Sequence, residues 1–140
     1  MLILPRRIEE KLRKEAERTG ASIEEVALDA LCRGMSEEVD PAEKTELYAR
    51  LSERYLKDAE GFLAKGDYAQ TSEKLWGAAS LMVKAIAASR GASISSHGEL
   101  FSYVRRLGEE AGNPELRRLF SVAGILQPEF SRELVEWGRG

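Results

Sequence analysis

The 140-residue sequence contains one imidazole, His97, and one thiol, Cys32. His97 is the candidate general base, because an unperturbed imidazole changes charge near neutral pH. A competing reading places it at the first position of a helix, where it orders the preceding loop. The positive end of a helix dipole disfavours imidazolium there, so a neutral ring is expected in either role. No second catalytic group stands near it in sequence, which favours the structural reading and leaves no firm catalytic residue. Cys32, with no histidine nearby, reads as a small buried hydrophobe. Counts this low exclude zinc fingers, multi-histidine metal sites, Cys-x-x-Cys redox chemistry and any disulfide within the chain. Glycine-rich phosphate loops are also missing, so no metal and no cofactor is expected.

Binding chemistry has more to draw on. Arg105-Arg106 and Arg117-Arg118 flank a turn between two expected helices, and four guanidinium groups converging there would form a site for RNA or a nucleotide phosphate. Glu109, Glu110 and Glu115 lie between them and can neutralise it. Lys74 and Lys84, on the preceding helix, are further phosphate candidates, with Glu73 positioned to engage Lys74. Trp76 reads as core packing in preference to a stacking platform.

These groups sit in a nearly balanced chain. Twenty-one Lys and Arg stand against twenty-four Asp and Glu, a formal net charge of -3, so no global basic field holds nucleic acid. Residues 1–35 carry seven basic and seven acidic groups, 36–66 five and eight, and 67–140 nine and nine, which puts the surplus acid between residues 36 and 66. The absence of cysteine pairs and of a recognisable leader points to the cytoplasm. The most apolar stretch, Leu75 to Ala88, is interrupted by Ser80 and Lys84 and falls short of the ~20 residues needed to span a bilayer, so no membrane association is expected.

Helix punctuation predicts the elements that must position these groups. A first helix over Arg6 to Thr19 stops at Gly20. Ser22 with Glu25 opens a second through Leu31, ending at Gly34. Asp40-Pro41 starts a long third helix with Tyr48, Leu51, Tyr55 and Phe62 on one stripe, broadened by Leu47 and Leu63, which closes at Lys65-Gly66. Asp67 caps a fourth, in which Tyr68, Leu75, Ala79, Met82 and Ile86 repeat at helical spacing until Gly91. The two long helices are expected to fold back as an antiparallel hairpin that buries these stripes, with Gly77 to Ser80 thin enough for close approach. Ser96 with Glu99 opens a fifth helix at His97. Asn113-Pro114 opens a sixth, which Pro128 bends or ends. The expected fold is all-α: a helical segment over residues 1–38 and a bundle over residues 39–140.

The run Ala59-Glu60 through Lys65-Gly66-Asp67-Tyr68, the block Glu73-Lys74-Leu75-Trp76-Gly77-Ala78-Ala79, then Lys84-Ala85-Ile86-Ala87 and His97 before Glu99-Leu100 resemble the archaeal PaREP family. That family is similar in turn to the HEPN helical domain. The resemblance implies an antiparallel helical bundle that often dimerises, with relatives in toxin-antitoxin pairs and among RNA-cleaving enzymes. HEPN ribonucleases carry an arginine followed within a few residues by a histidine in the later helices. Arg90 and His97, with six residues between them, fit the spacing but straddle an earlier loop; at the later position stand Arg118 and Gln127. Separately, Leu2-Ile3-Leu4-Pro5, Arg18-Thr19-Gly20, Ser22-Ile23-Glu24-Glu25 and Ala30-Leu31 resemble a ribbon-helix-helix unit, a dimeric DNA-binding module. Leu2, Ile3 and Leu4 lack the polar side chains that such a ribbon projects into the major groove.

The leading expectation is therefore a non-catalytic interaction protein or a nucleotide- or RNA-binding protein of HEPN type, homodimeric, able to take a protein partner, and related to toxin-antitoxin systems. One alternative is a metal-independent ribonuclease using Arg90 and His97. Another is a DNA-binding regulator acting through residues 1–34.

Overall fold

The computed structural model describes residues 3–113, which hold five helices and no strand: α1 (Arg6–Thr19), α2 (Ile23–Met35), α3 (Pro41–Ala64), α4 (Tyr68–Ser89) and α5 (His97–Glu110). The expected sixth helix, with Arg117, Arg118 and Gln127, lies outside the described residues. The chain divides into two compact units, residues 1–39 and 40–140.

Local capping chemistry sets the boundaries. Ser22 Oγ accepts from the Glu25 amide at 3.2 Å while the Glu25 carboxylate accepts from the Ser22 amide at 2.6 Å, a reciprocal box that satisfies two otherwise orphaned donors at the start of α2. Asp40 and Glu43 make the same exchange at the start of α3, at 2.8 and 3.2 Å, with Pro41 in the first turn. Asp67 Oδ1 accepts from the Gln70 amide at 3.2 Å to open α4. One stop differs from expectation. The second helix runs through Gly34 to Met35, and Ser36 takes the left-handed conformation at φ 56° that Gly34 was expected to supply. Bonds from the Ser36 and Glu37 amides to the Arg33 and Cys32 carbonyls close the helix there.

In the first unit α1 packs on α2, and Ala16 is its one fully buried hydrophobic residue among those described. Cys32 is half-buried.

The second unit is built on α4. The α3–α4 hairpin is antiparallel and closes at Lys65-Gly66-Asp67, with Gly66 at φ 75°. Ser52 Oγ donates to the Ala78 carbonyl at 2.7 Å across the pair. The stripe on α4 that meets α3 is Thr71, Ala78, Leu81, Ala85 and Ala88, all buried, and not the expected Tyr68, Leu75, Ala79, Met82 and Ile86. Tyr68, Leu75 and Met82 are 72%, 46% and 42% exposed, Ala79 is exposed, and only Ile86 of that set is half-buried. The reason is steric. Small residues on α4 let α3 approach closely, so the narrow side becomes the seam and the bulky side is left outside. On α3, Leu51, Ser52 and Ala59 are buried, Tyr48, Tyr55 and Phe62 half-buried, and Leu63 is exposed.

On its other side, α4 packs against α5 through Trp76, Val83 and Ala87, which form one cluster with Leu100, Phe101, Tyr103 and Val104. Trp76 stacks on Phe101 with ring centroids 5.8 Å apart. Farther along both helices, Arg90 Nη1 lies 2.8 Å from Glu110 Oε2. Two contacts that advance together along both helices mean that α5 runs in the same sense as α4. The six residues Gly91 to Ser96 therefore lead the chain back along α4, a span of about 20 Å for extended backbone. Ile94 of this crossover packs on the cluster, and Glu99 holds the Ser95 amide at 2.7 Å and its hydroxyl at 3.0 Å.

Candidate functional site

His97 occupies the first position of α5, after the N-cap Ser96, whose Oγ accepts from the Glu99 amide at 3.1 Å. The imidazole is buried, 7% exposed, where the crossover enters the helix. Arg90 is the C-cap residue of α4, and its guanidinium is bound by Glu110 at the last turn of α5. The hydrogen bond from Arg90 to Glu110, then the Glu110 charge, and lastly Tyr103 beside them hold the guanidinium above its ordinary value. His97 and Glu110 are the two ends of a 14-residue helix, so about 20 Å of helix axis separates them. Arg90 and His97 are thus held at opposite ends of α5, and their spacing in sequence does not become a catalytic pair.

The phosphate candidates are scattered as well. Lys84 is buried beside Ser80 on one flank of α4, away from any surface phosphate. Lys74 reaches back to α3, where its ammonium lies 4.5 Å from the Tyr55 ring centroid and 4.0 Å from Asp58 Oδ2. Arg105 and Arg106 are exposed neighbours on α5, and Arg106 lies over the Tyr103 ring at 5.8 Å. Arg117 and Arg118, the other half of the expected patch, are outside the described residues. Among the described residues no three His, Cys, Asp or Glu side chains come together to hold a metal, and no helix is long and apolar enough to cross a membrane.

The feature with the greatest extent is apolar. The exposed large hydrophobics of the second unit, among the described residues, are Leu56, Leu63, Tyr68, Leu75 and Met82. In the antiparallel hairpin Leu63 lies level with Tyr68, and Leu56 with Leu75, as the neighbouring Tyr55–Gly77 and Asp58–Lys74 contacts require. All five fall on one flank, opposite the flank that carries buried Ser80 and Lys84.

This hairpin, with its Trp76-Gly77-Ala78-Ala79 block, and the α5 cluster lie in the part of the chain that known proteins share. The family model of the archaeal PaREP1/PaREP8 proteins matches residues 47–127, more than half of the chain. The protein belongs to that family. No curated protein and no solved structure matches it. In this PaREP1/PaREP8 protein the matched region begins inside α3 and takes in all of α4 and α5, leaving the α1–α2 unit outside it.

The helix-start position of His97 and the packing role of Trp76 are both legible in the sequence. The Arg90–Glu110 clasp, whose partners are 20 residues apart, is not, and the flank of α4 that periodicity assigns to the core is the exposed one. The signal for the latter is the small residues at 77–80 and at 85, 87 and 88, which mark where a neighbouring backbone can approach.

Proposed function

We propose that this PaREP1/PaREP8 protein is a non-catalytic interaction protein of HEPN type, working as a homodimer in the cytoplasm and related in role to toxin-antitoxin components. The observation that carries the non-catalytic part is the engagement of Arg90 by Glu110 at 2.8 Å, at the end of α5 remote from His97. A ribonuclease of this size needs a base and a charge-stabilising group within hydrogen-bond reach of one scissile phosphate. Incubation with RNA in EDTA tests the reading. No cleavage above background is expected, and cleavage that disappears in His97→Ala would replace it with the metal-independent ribonuclease.

A nucleotide or RNA ligand is the second reading, favoured by the exposure of Arg105 and Arg106 side by side on α5. Glu99, Glu109 and Glu110 on the same helix limit the local field to what those guanidiniums contribute. A mobility shift with RNA that is lost in the Arg105→Ala/Arg106→Ala variant supports this reading, and a shift that survives their removal rules the patch out. The DNA-binding reading through residues 1–34 is judged by deleting that segment: loss of binding to the chain's own promoter supports it, and unchanged binding rules it out.

A further inference from the structure

The α4 surface left outside the hairpin is free of charge along the whole helix. Tyr68, Leu75, Ala79, Met82 and Ser89 are exposed along it, half-buried Ser72 and Ile86 complete the spacing of three and four with Ile86 turned onto the α5 cluster, and the charged residues of α4, Glu73, Lys74 and Lys84, all lie off this stripe. Leu56 and Leu63 of α3 widen it, and exposed Glu53 and Glu60 form its polar rim. An uncharged centre with an acidic rim is the composition of an interface core.

Residue sizes along the stripe are complementary about its middle. Counting outwards from Ala79, exposed Leu75 has exposed Met82 as its counterpart and exposed Tyr68 has exposed Ser89. Two antiparallel copies of α4 crossing at Ala79 would set Leu75 of each beside Met82 of the other and Tyr68 over Ser89, with the smallest residue on the two-fold axis. An isologous contact requires this self-matching, because each residue meets its symmetry counterpart twice. The absence of charge also means that like charges do not oppose one another across the axis. At about 200 Å² for a whole side chain of this size, the five bulky residues expose about 500 Å² per copy, so a dimer would remove about 1,000 Å², where specific interfaces begin.

We infer that this flank is the homodimer interface, formed by a second copy of the chain with α4 crossing α4 antiparallel at Ala79. The inference rests on the homodimer reading above and adds to it the surface, the register and the axis.

The test uses the full chain. Light scattering on the wild-type protein should give twice the mass of the 15.6 kDa chain. Ala79→Glu, at an exposed position, should give the monomer mass with unchanged circular dichroism. In a Cys32→Ser background, Ala79→Cys should oxidise to a covalent dimer, since residues on a close two-fold axis meet disulfide geometry. Glu73→Cys, exposed off the stripe, should not. Leu75→Glu and Met82→Arg should each yield monomers and their combination should restore the dimer, as the new carboxylate of each copy would face the new guanidinium of the other. A dimer that survives Ala79→Glu, or links equally through Glu73→Cys, overturns this interface and leaves the homodimer reading standing. A monomeric wild-type protein overturns both.

Discussion

A Cβ built at Gly77 would stand 2.6 Å from Cδ2 and 2.9 Å from Cε2 of Tyr55, so the tyrosine ring of α3 occupies the space that any side chain at this point of α4 would need. Lys74, one turn before Gly77, lies over the same ring at 4.5 Å and restricts how far it can turn aside. The close approach of α3 to α4 thus depends on one missing methyl group.

Gly77→Ala should therefore destabilise the protein, although alanine is the better helix former by about 1 kcal/mol. Overpacking of this kind costs ~1–3 kcal/mol, and a net loss of about 1 kcal/mol is expected in urea unfolding. In a Tyr55→Leu background the same change should become stabilising. Equal effects of Gly77→Ala with and without Tyr55 would show that the ring is not what limits the site.

His97→Ala removes a buried ring at the base of α5 and should lower stability by about 2 kcal/mol, the usual scale for a large-to-small change in a packed site. Dimer mass should be unchanged at temperatures where the variant is folded. A variant that melts like the wild type but loses association would give His97 a binding role instead.

How far such positions could be read in advance differed between local and long-range features. Ser22, Asp40, Asp67 and Ser96 act on amides three residues away, so their patterns were legible as helix starts. The seam of α4 was not, because that helix is apolar almost all round. Periodicity then identifies a helix without saying which side is inside, and Leu75 and Met82 outweigh Ala78 and Ala85 in any hydropathy count although the alanines are the buried ones. Arg90 posed a different difficulty: its partner is set by the direction of α5, which depends on the path of residues 91–96.

Arg90→Ala should release the last turn of α5. Amide exchange at residues 107–111 is expected to accelerate, while the α3–α4 hairpin keeps its protection. Because the guanidinium is held above its ordinary value, its contribution is complete below that value and is lost only as pH rises through the raised one. Protection of this turn should therefore show no loss attributable to Arg90 between neutral pH and pH 9. Exchange that is insensitive to the substitution would show that the clasp does not restrain α5.

Within α1, Glu15 accepts hydrogen bonds from Arg18, one of them from Nε at 3.0 Å, and its carboxyl is held below the ordinary carboxylate value chiefly by that bonding. A lowered carboxyl stabilises the fold at pH above the ordinary value and loses that contribution as pH falls through the lowered one. An NMR titration should find Glu15 protonating at lower pH than a free glutamate, and Arg18→Gln should move it back up. No change on losing Arg18 would contradict the assignment.

The crossover from α4 to α5 also carries an expectation about the order of assembly. The hairpin can zip outwards from its own three-residue turn, each new contact shortening the loop that the next one has to close. Helix α5 must instead be carried back along α4 before Phe101 can reach Trp76 or Glu110 can reach Arg90, so it docks on a surface that must already exist. Substitutions at the α3–α4 seam should then alter the folding rate, whereas those in residues 91–96 and at Phe101 should act mainly on unfolding. The segment that holds His97 is thus expected to close last and open first, so its amides should exchange faster than those of the α3–α4 hairpin.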